Sequence, residues 1–255
     1  MNYRLSHDIS KALTHTIGGI QVANLSESEA SQRISAHLLA DWHLKIAFCN
    51  AHVVNVAAKQ PALKEALDNF LVLPDGVGVD LACRYLHGRP FTANLNGTDF
   101  IPAFLRSCER PLTVSLLGAK PGVAERAADH LSLAFPRHNF TVAGDGYQTL
   151  AEITETLLWL EAARPDILLV ALGNPRQELF IAHNITPRHA VVVAGVGALL
   201  DFLSGDVPRA PLVVRKARLE WIFRLLVEPR RLWKRYIFGN AQFFVRMLIL
   251  HRERR

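Results

Sequence analysis

The chain has 255 residues, half of them hydrophobic, and a formal net charge of +6, enough to bury one large core with an appendage beside it. No window holds the ~18 uninterrupted apolar residues of a membrane-spanning helix. The first twenty residues lack the apolar heart of a secretory leader, and Cys49, Cys83 and Cys108 stand too far apart for a disulfide framework or a Cys/His metal site. These absences predict a cytoplasmic chain with reduced thiols, no metal and no cofactor.

In chain order, Ser26 followed by Glu29 is a capping box opening a helix through Leu39. An apolar strand at Lys45–Cys49 ends in Asn50, and helices follow over Ala51–Lys59 and Pro61–Phe70, the second with proline in its first turn. A strand at Leu71–Leu73 runs into Pro74-Asp75-Gly76-Val77-Gly78 and a helix over Val77–His87. Gly97-Thr98-Asp99 reads as a helix cap or a ligand contact, with capping favoured. Strands at Leu112–Leu117, Phe140–Ala143, Asp166–Leu172 and Ala190–Ala194 then alternate with helices over Pro121–Phe135, Thr149–Ala163 and Arg176–His183.

The strands around Val72, Val114, Val170 and Val192 are apolar on both faces, as strands between two helical layers must be. The alternation predicts an α/β fold: a doubly wound, mostly parallel, Rossmann-like sheet over residues 1–208. After Pro208–Pro211 the strands stop. From Arg209 to Arg255 there are thirteen Lys/Arg against three Glu, a net of +10, so residues 1–208 carry −4. With Trp221, Phe223, Trp233, Tyr236, Phe238, Phe243 and Phe244 among those cations, residues 209–255 read as a helical appendage that lies on an anionic membrane. A nucleic-acid arm fits less well, because the cations are mixed with large apolar side chains and no nucleic-acid motif occurs.

Ligands in doubly wound folds sit beyond the carboxyl ends of the strands. Those ends here are Asn50, the Asp75 turn, Gly118 to Gly122, Gly144-Asp145-Gly146, the Gly173 to Glu178 loop and Gly195-Val196-Gly197. Glycine turns before helix N-termini suit a nucleotide or phosphorylated ligand. Asp75, desolvated at that edge, is a candidate general base or else an ordinary N-cap. Asp80 reads as a solvated or paired side chain, and His52 is the histidine nearest a catalytic position. Gln177 offers a donor and an acceptor to sugar hydroxyls or a uracil edge, or is an ordinary first-turn residue. There is no DxD, HExxH or GxSxG. Arg224, Arg231 and Arg235 share roughly one helical face, with Pro229 bending the helix between them and Arg209, Arg218 and Lys234 nearby. They form either a guanidinium clamp on diphosphate or a generic basic face for headgroups.

The ordered set of strings resembles the WecG/TagA/CpsF family of bacterial glycosyltransferases (glycosyltransferase family 26). It comprises Asn50-Ala51-His52-Val53-Val54, Leu73 to Gly78, Gly97-Thr98-Asp99, Leu117 to Ala124, Val170 to Glu178, Gly195 to Phe202, Arg209-Ala210-Pro211 and Leu219 to Leu225 leading into Glu228-Pro229-Arg230-Arg231. The resemblance implies inverting, metal-independent transfer of a hexose from a UDP-sugar to a polyprenyl-diphosphate-linked saccharide. The reaction would run on the cytoplasmic membrane face, in an enzyme that forms oligomers in some members. It implies Asp75 as the base, Asn50 and Gln177 in the pocket, and Arg224, Arg231 and either Lys234 or Arg235 completing the site from the appendage. The expected contact set is Asn50, Thr98, Asp99, Gly118, Gln177, Gly195, Arg209, Arg224, Arg231 and Arg235. Phe48 stands where many members have threonine, and Ala93-Asn94-Leu95-Asn96 where many have an arginine. Asn94 to Phe100 resembles the exopolysaccharide branch with its xanthan-type glucosyltransferases, so the expected sugar is glucose, with an N-acetylmannosamine or its uronate as the alternative. A non-catalytic nucleotide-binding module is the rival class. A chain cut near Arg209 is expected to be a folded but nearly inactive body.

Overall fold

The computed structural model describes residues 14–253. A short antiparallel hairpin, β1 (Thr14–Ile17) and β2 (Ile20–Ala23), precedes a parallel sheet of six strands. These are β3 (Leu44–Cys49), β4 (Leu71–Pro74), β5 (Thr113–Gly118), β6 (Asn139–Gly144), β7 (Ile167–Ala171) and β8 (Val192–Gly195), in the order β4-β3-β8-β7-β5-β6. All six coincide with the strands expected from the sequence, within two residues at either end. The helices of the body are α1 (Glu27–Ala40), α2 (Ala51–Ala57), α3 (Pro61–Leu67), α4 (Val77–His87), α5 (Gly97–Ser107), α6 (Val123–Ala134), α7 (Leu150–Ala163), α8 (Arg176–Asn184) and α9 (Leu199–Leu203).

Burial explains the layering. In β3, Ile46 and Phe48 join one core cluster while Ala47 and Cys49 join another. In β7, Ile167, Leu169 and Ala171 face the first cluster and Leu168 and Val170 a third. Strands apolar on both faces must be covered twice. Accordingly α1, α5, α6 and α9 bury their apolar sides on one face, and α2, α3, α4, α7 and α8 on the other. The predicted capping box is present: Ser26 Oγ accepts from Glu29 N at 3.2 Å, and the Glu29 carboxylate accepts from Ser26 N at 2.8 Å.

The hairpin was not expected from the sequence. Ile17 pairs with Ile20, so Gly18 and Gly19 alone make the turn, at φ 60° and 84°. Positive φ at both central residues gives the twist that matches two antiparallel strands. A Cβ on Gly18 would also fall 2.3 Å from Val54 Cγ1. Strands of four residues are too short to show alternation, and only the Gly-Gly pair marked the turn.

Beyond residue 208 only helices follow among the described residues: α10 (Leu212–Lys216), α11 (Glu220–Val227), α12 (Pro229–Trp233), a π-helical turn (Lys234–Phe238) and α13 (Gly239–Glu253). The last of these is fastened to the body. Phe243 and Met247, 0% and 2% exposed, join the second core cluster beside Ile17, Val54 and Val79. Asn55 Nδ2 donates to the Gly239 carbonyl at 2.7 Å. No helix among the described residues is long and apolar enough to cross a membrane.

Candidate active site

The carboxyl ends of β3 and β4 lie side by side, with Cys49 in register with Pro74. Asn50 follows β3 in extended conformation and caps α2, its Oδ1 accepting from His52 N at 3.1 Å and Val53 N at 3.2 Å. Its Nδ2 is thereby turned outward and donates to Asp75 Oδ2 at 3.0 Å. Asp75 itself caps nothing. Gly76, at φ 91°, is the N-cap of α4, and its N–H donates to Asn94 Oδ1 at 2.7 Å. The N-cap reading of Asp75 is therefore replaced: the turn is closed by the Gly76 backbone and the Asn94 side chain, and the carboxylate accepts from Asn50 instead.

Asp75 keeps a partly open surface, yet protein surrounds the carboxylate on nearly every side. Burial dominates and raises its pKa, while the Asn50 hydrogen bond and then the charges of Arg235 and Arg224 work against that rise. Both arginines come from the appendage. Arg235 lies deep, with Nε buried and unpartnered, and burial draws its pKa below the usual range. His52 is held neutral by burial and by Arg235, with a pKa lowered to about 4. Cys49, fully buried, has its thiol pushed up by burial and by the nearby Asp75 and Glu178, which makes it inert packing.

A second carboxylate holds two more of the tail arginines. Asp99 Oδ1 receives Arg209 at 2.5 Å and Arg215 at 3.0 Å, and Oδ2 accepts from Asn96 Nδ2 at 3.0 Å. Asn96, one residue before the expected Gly97-Thr98-Asp99 cap, is the N-cap of α5, and Thr98 donates to its Oδ1 at 2.6 Å. Asp80, buried rather than solvated, pairs with Arg218, so its alternative as a paired side chain holds. Arg231 pairs with Glu228 at 2.7 Å and stays half exposed.

Gln177 is 2% exposed and spends its amide internally. Nε2 donates to Gly195 O and to Glu178 Oε1, each at 2.9 Å, and Oε1 accepts from Gly197 N at 3.0 Å. It thus braces the loop after β7 against the loop after β8, and a Cβ on Gly195 would strike it at 2.9 Å. Gly118, at φ 116°, lets β5 pass the Ala171 carbonyl, 2.5 Å from where a Cβ would stand. It lies four strands from Asp75, about 19 Å by strand spacing.

The structure therefore gathers Asn50, Asp75, Arg224 and Arg235, with Asp99 and Arg209 beside them, and sets Gly118 apart. Four participants were missed as site residues. Glu178 is 1% exposed, with Oε2 unpartnered and its pKa raised by burial. Glu220 is raised by burial and opposed first by Arg209, Asp201 is raised by burial and opposed first by Arg231, and Asn94 closes the turn. Glu178, Asp201 and Glu220 lie inside strings noticed in the sequence, but nothing in the strings said which side chain faced which.

The model of the Glycosyl transferase WecG/TagA/CpsF family matches residues 15–255. The chain is 30% identical over 75% of its length to the N-acetylglucosaminyldiphosphoundecaprenol N-acetyl-beta-D-mannosaminyltransferase of Bacillus spizizenii, covering 74% of that protein. It is 36% identical to the enzyme of the same name from Bacillus subtilis strain 168, over 66% of this chain and 64% of that one. For Staphylococcus aureus strain MRSA252 the figures are 31%, 76% and 74%. These relatives do not support the glucose and exopolysaccharide expectation; their names carry N-acetylmannosamine, the alternative sugar.

Proposed function

Because the chain belongs to the WecG/TagA/CpsF family of glycosyl transferases, we propose that it moves N-acetylmannosamine from a UDP-linked donor to a polyprenyl-diphosphate-linked N-acetylglucosamine. The observation that carries this reading is the Asp75 carboxylate, held by Asn50 at 3.0 Å and facing the appendage cations Arg235 and Arg224. One group takes a proton while its neighbours receive negative charge, which is the division of labour that glycosyl transfer to a hydroxyl requires.

An acceptor hydroxyl attacks the anomeric carbon of the donor and passes its proton to Asp75. The new bond from acceptor oxygen to anomeric carbon forms as the bond from anomeric carbon to phosphate oxygen breaks, inverting that centre. The electron pair leaves on UDP, whose growing charge is met by Arg224 and Arg235, preorganised in a desolvated site. Asn50 orients the base. UDP release from a panel of UDP-sugars, with polyprenyl-diphosphate N-acetylglucosamine as acceptor, tests this directly. The expected result is turnover with UDP-N-acetylmannosamine that persists in EDTA; turnover confined to UDP-glucose would restore the other sugar, and none with any donor would sink the transferase reading.

The acceptor's lipid gives the appendage its second task. Its helices expose apolar residues, among them Val213 (79%), Leu226 (75%) and Phe238 (63%), and also expose Arg230, Lys234 and Arg252. Apolar side chains among cations suit the interface of an anionic bilayer. Flotation with phosphatidylglycerol vesicles is expected to carry the protein upward, and neutral phosphatidylcholine vesicles to carry much less. Equal flotation with both would remove the electrostatic part of this proposal.

A further inference from the structure

Phe202 lies in α9, immediately beyond the β8 turn, and is half-buried. The guanidinium carbon of Arg224 stands 5.3 Å from the centre of its ring and that of Arg209 5.9 Å. Two like charges thus share one aromatic ring. Arg209 pairs with Asp99 at 2.5 Å and lies within the charge of Glu220, as Arg224 does, yet the Nε atoms of both Arg209 and Arg224 are buried without a hydrogen-bond partner. Buried Nε donors on two cations leave hydrogen-bonding capacity that an added anion can take up.

We propose that Phe202 is a positioning residue whose ring holds Arg209 and Arg224 together as a two-arginine seat for a diphosphate anion. The π face attracts each guanidinium and offsets part of their mutual repulsion. Asp99 fixes the Arg209 guanidinium through a separate ion pair. The ring touches no reacting atom and acts only through the two cations. The identity of the natural anion rests on the glycosyl-transfer reading; the seat does not.

Titration of inorganic pyrophosphate into the full chain by calorimetry tests the seat without any turnover. Phe202→Tyr keeps the π face and is expected to bind within about twofold of the wild type, whereas Phe202→Leu binds about tenfold more weakly. Replacing Phe202 by a heavily fluorinated phenylalanine keeps the packing and reverses the charge of the face, and is expected to match the Leu variant. That arm carries the test if Phe202→Leu fails to fold. Arg224→Ala is expected to weaken binding less in the Leu background than in the wild type, because the two changes share one interaction. Wild-type binding by the fluorinated protein, strict additivity with Arg224→Ala, or no pyrophosphate binding by the wild type would each overturn the proposal. Ring-dependent pyrophosphate binding in a protein that transfers no sugar would instead overturn the transferase reading and leave the seat standing.

Discussion

Asp75→Asn is expected to lower kcat by about 10²–10⁴-fold, the usual worth of a positioned general base, with KM little changed. The substitution is nearly isosteric, and an amide oxygen can still accept from Asn50 Nδ2. A collapse of kcat with an intact melting curve therefore reports lost proton transfer rather than lost structure. The pH dependence gives an independent reading. Only the carboxylate form accepts a proton, and burial raises its pKa, so activity should rise with pH along a limb displaced above the ordinary carboxylate range. Arg235 opposes that rise, so Arg235→Gln should push the limb higher still.

Stability moves the other way. A carboxyl whose folded pKa is raised contributes stability that is complete below its unfolded pKa and is lost as pH rises through the folded value. The fold thus prefers Asp75 neutral while the chemistry needs it charged. The Asn variant should melt at or above the wild-type temperature at pH 8, with the difference shrinking toward pH 4. Full turnover by Asp75→Asn would reduce the residue to a member of the turn.

Phe243→Ala is expected to destabilise the whole protein by about 3–5 kcal/mol, as for other fully buried aromatics. At about 2–4 °C per kcal/mol for a chain of this size, that is a fall in Tm large enough to read from one melting curve. The reason is position. Phe243 is 0% exposed in the second core cluster, and its ring lies 3.9 Å from where a Cβ on Gly78 would stand, in the helix that follows Asp75. Chemical denaturation followed by both near- and far-ultraviolet circular dichroism checks the size and whether the loss is global. A cost below about 1 kcal/mol, small beside ordinary core truncations, would mean that the last helix melts by itself. The same burial alters the expectation for a chain cut near Arg209. Such a cut removes Phe243 and Met247 from a core they share with Ile17 and Val54, so the remaining body should be destabilised as well as inactive.

The parallel sheet was legible because each of its strands is a short β-branched or apolar run between helical stretches, and burial on two faces leaves that mark in the sequence. The place of Asp75 was legible because an apolar strand ending in Pro-Asp-Gly puts a carboxylate at the carboxyl edge of the sheet. What lay beyond reach was pairing at a distance. Arg235 faces Asp75 across 160 residues of chain, and Arg215 and Arg218 find Asp99 and Asp80 over comparable spans. The basic run showed that cations were present but not which would be spent on internal carboxylates. Gln177 shows the converse limit. Its donor and acceptor suggested sugar recognition, yet both are committed to the Gly195 and Gly197 backbone. In the appendage, helical spacing alone could not tell the inward Phe243 from the half-exposed Phe244.

The strand order also constrains synthesis on the ribosome. β3, which delivers Asn50, pairs on one side with β8, Leu44 opposite Val192, so its partner emerges about 150 residues later. At ~5–20 residues per second that is a delay of about 7–30 s. Throughout this interval the nascent chain carries an apolar strand with one unpaired edge, the kind of edge that invites adventitious strand pairing. Shielding of that edge during synthesis would thus matter most for the strand that delivers Asn50, and the helix bearing Phe243 emerges later still to close the second core cluster.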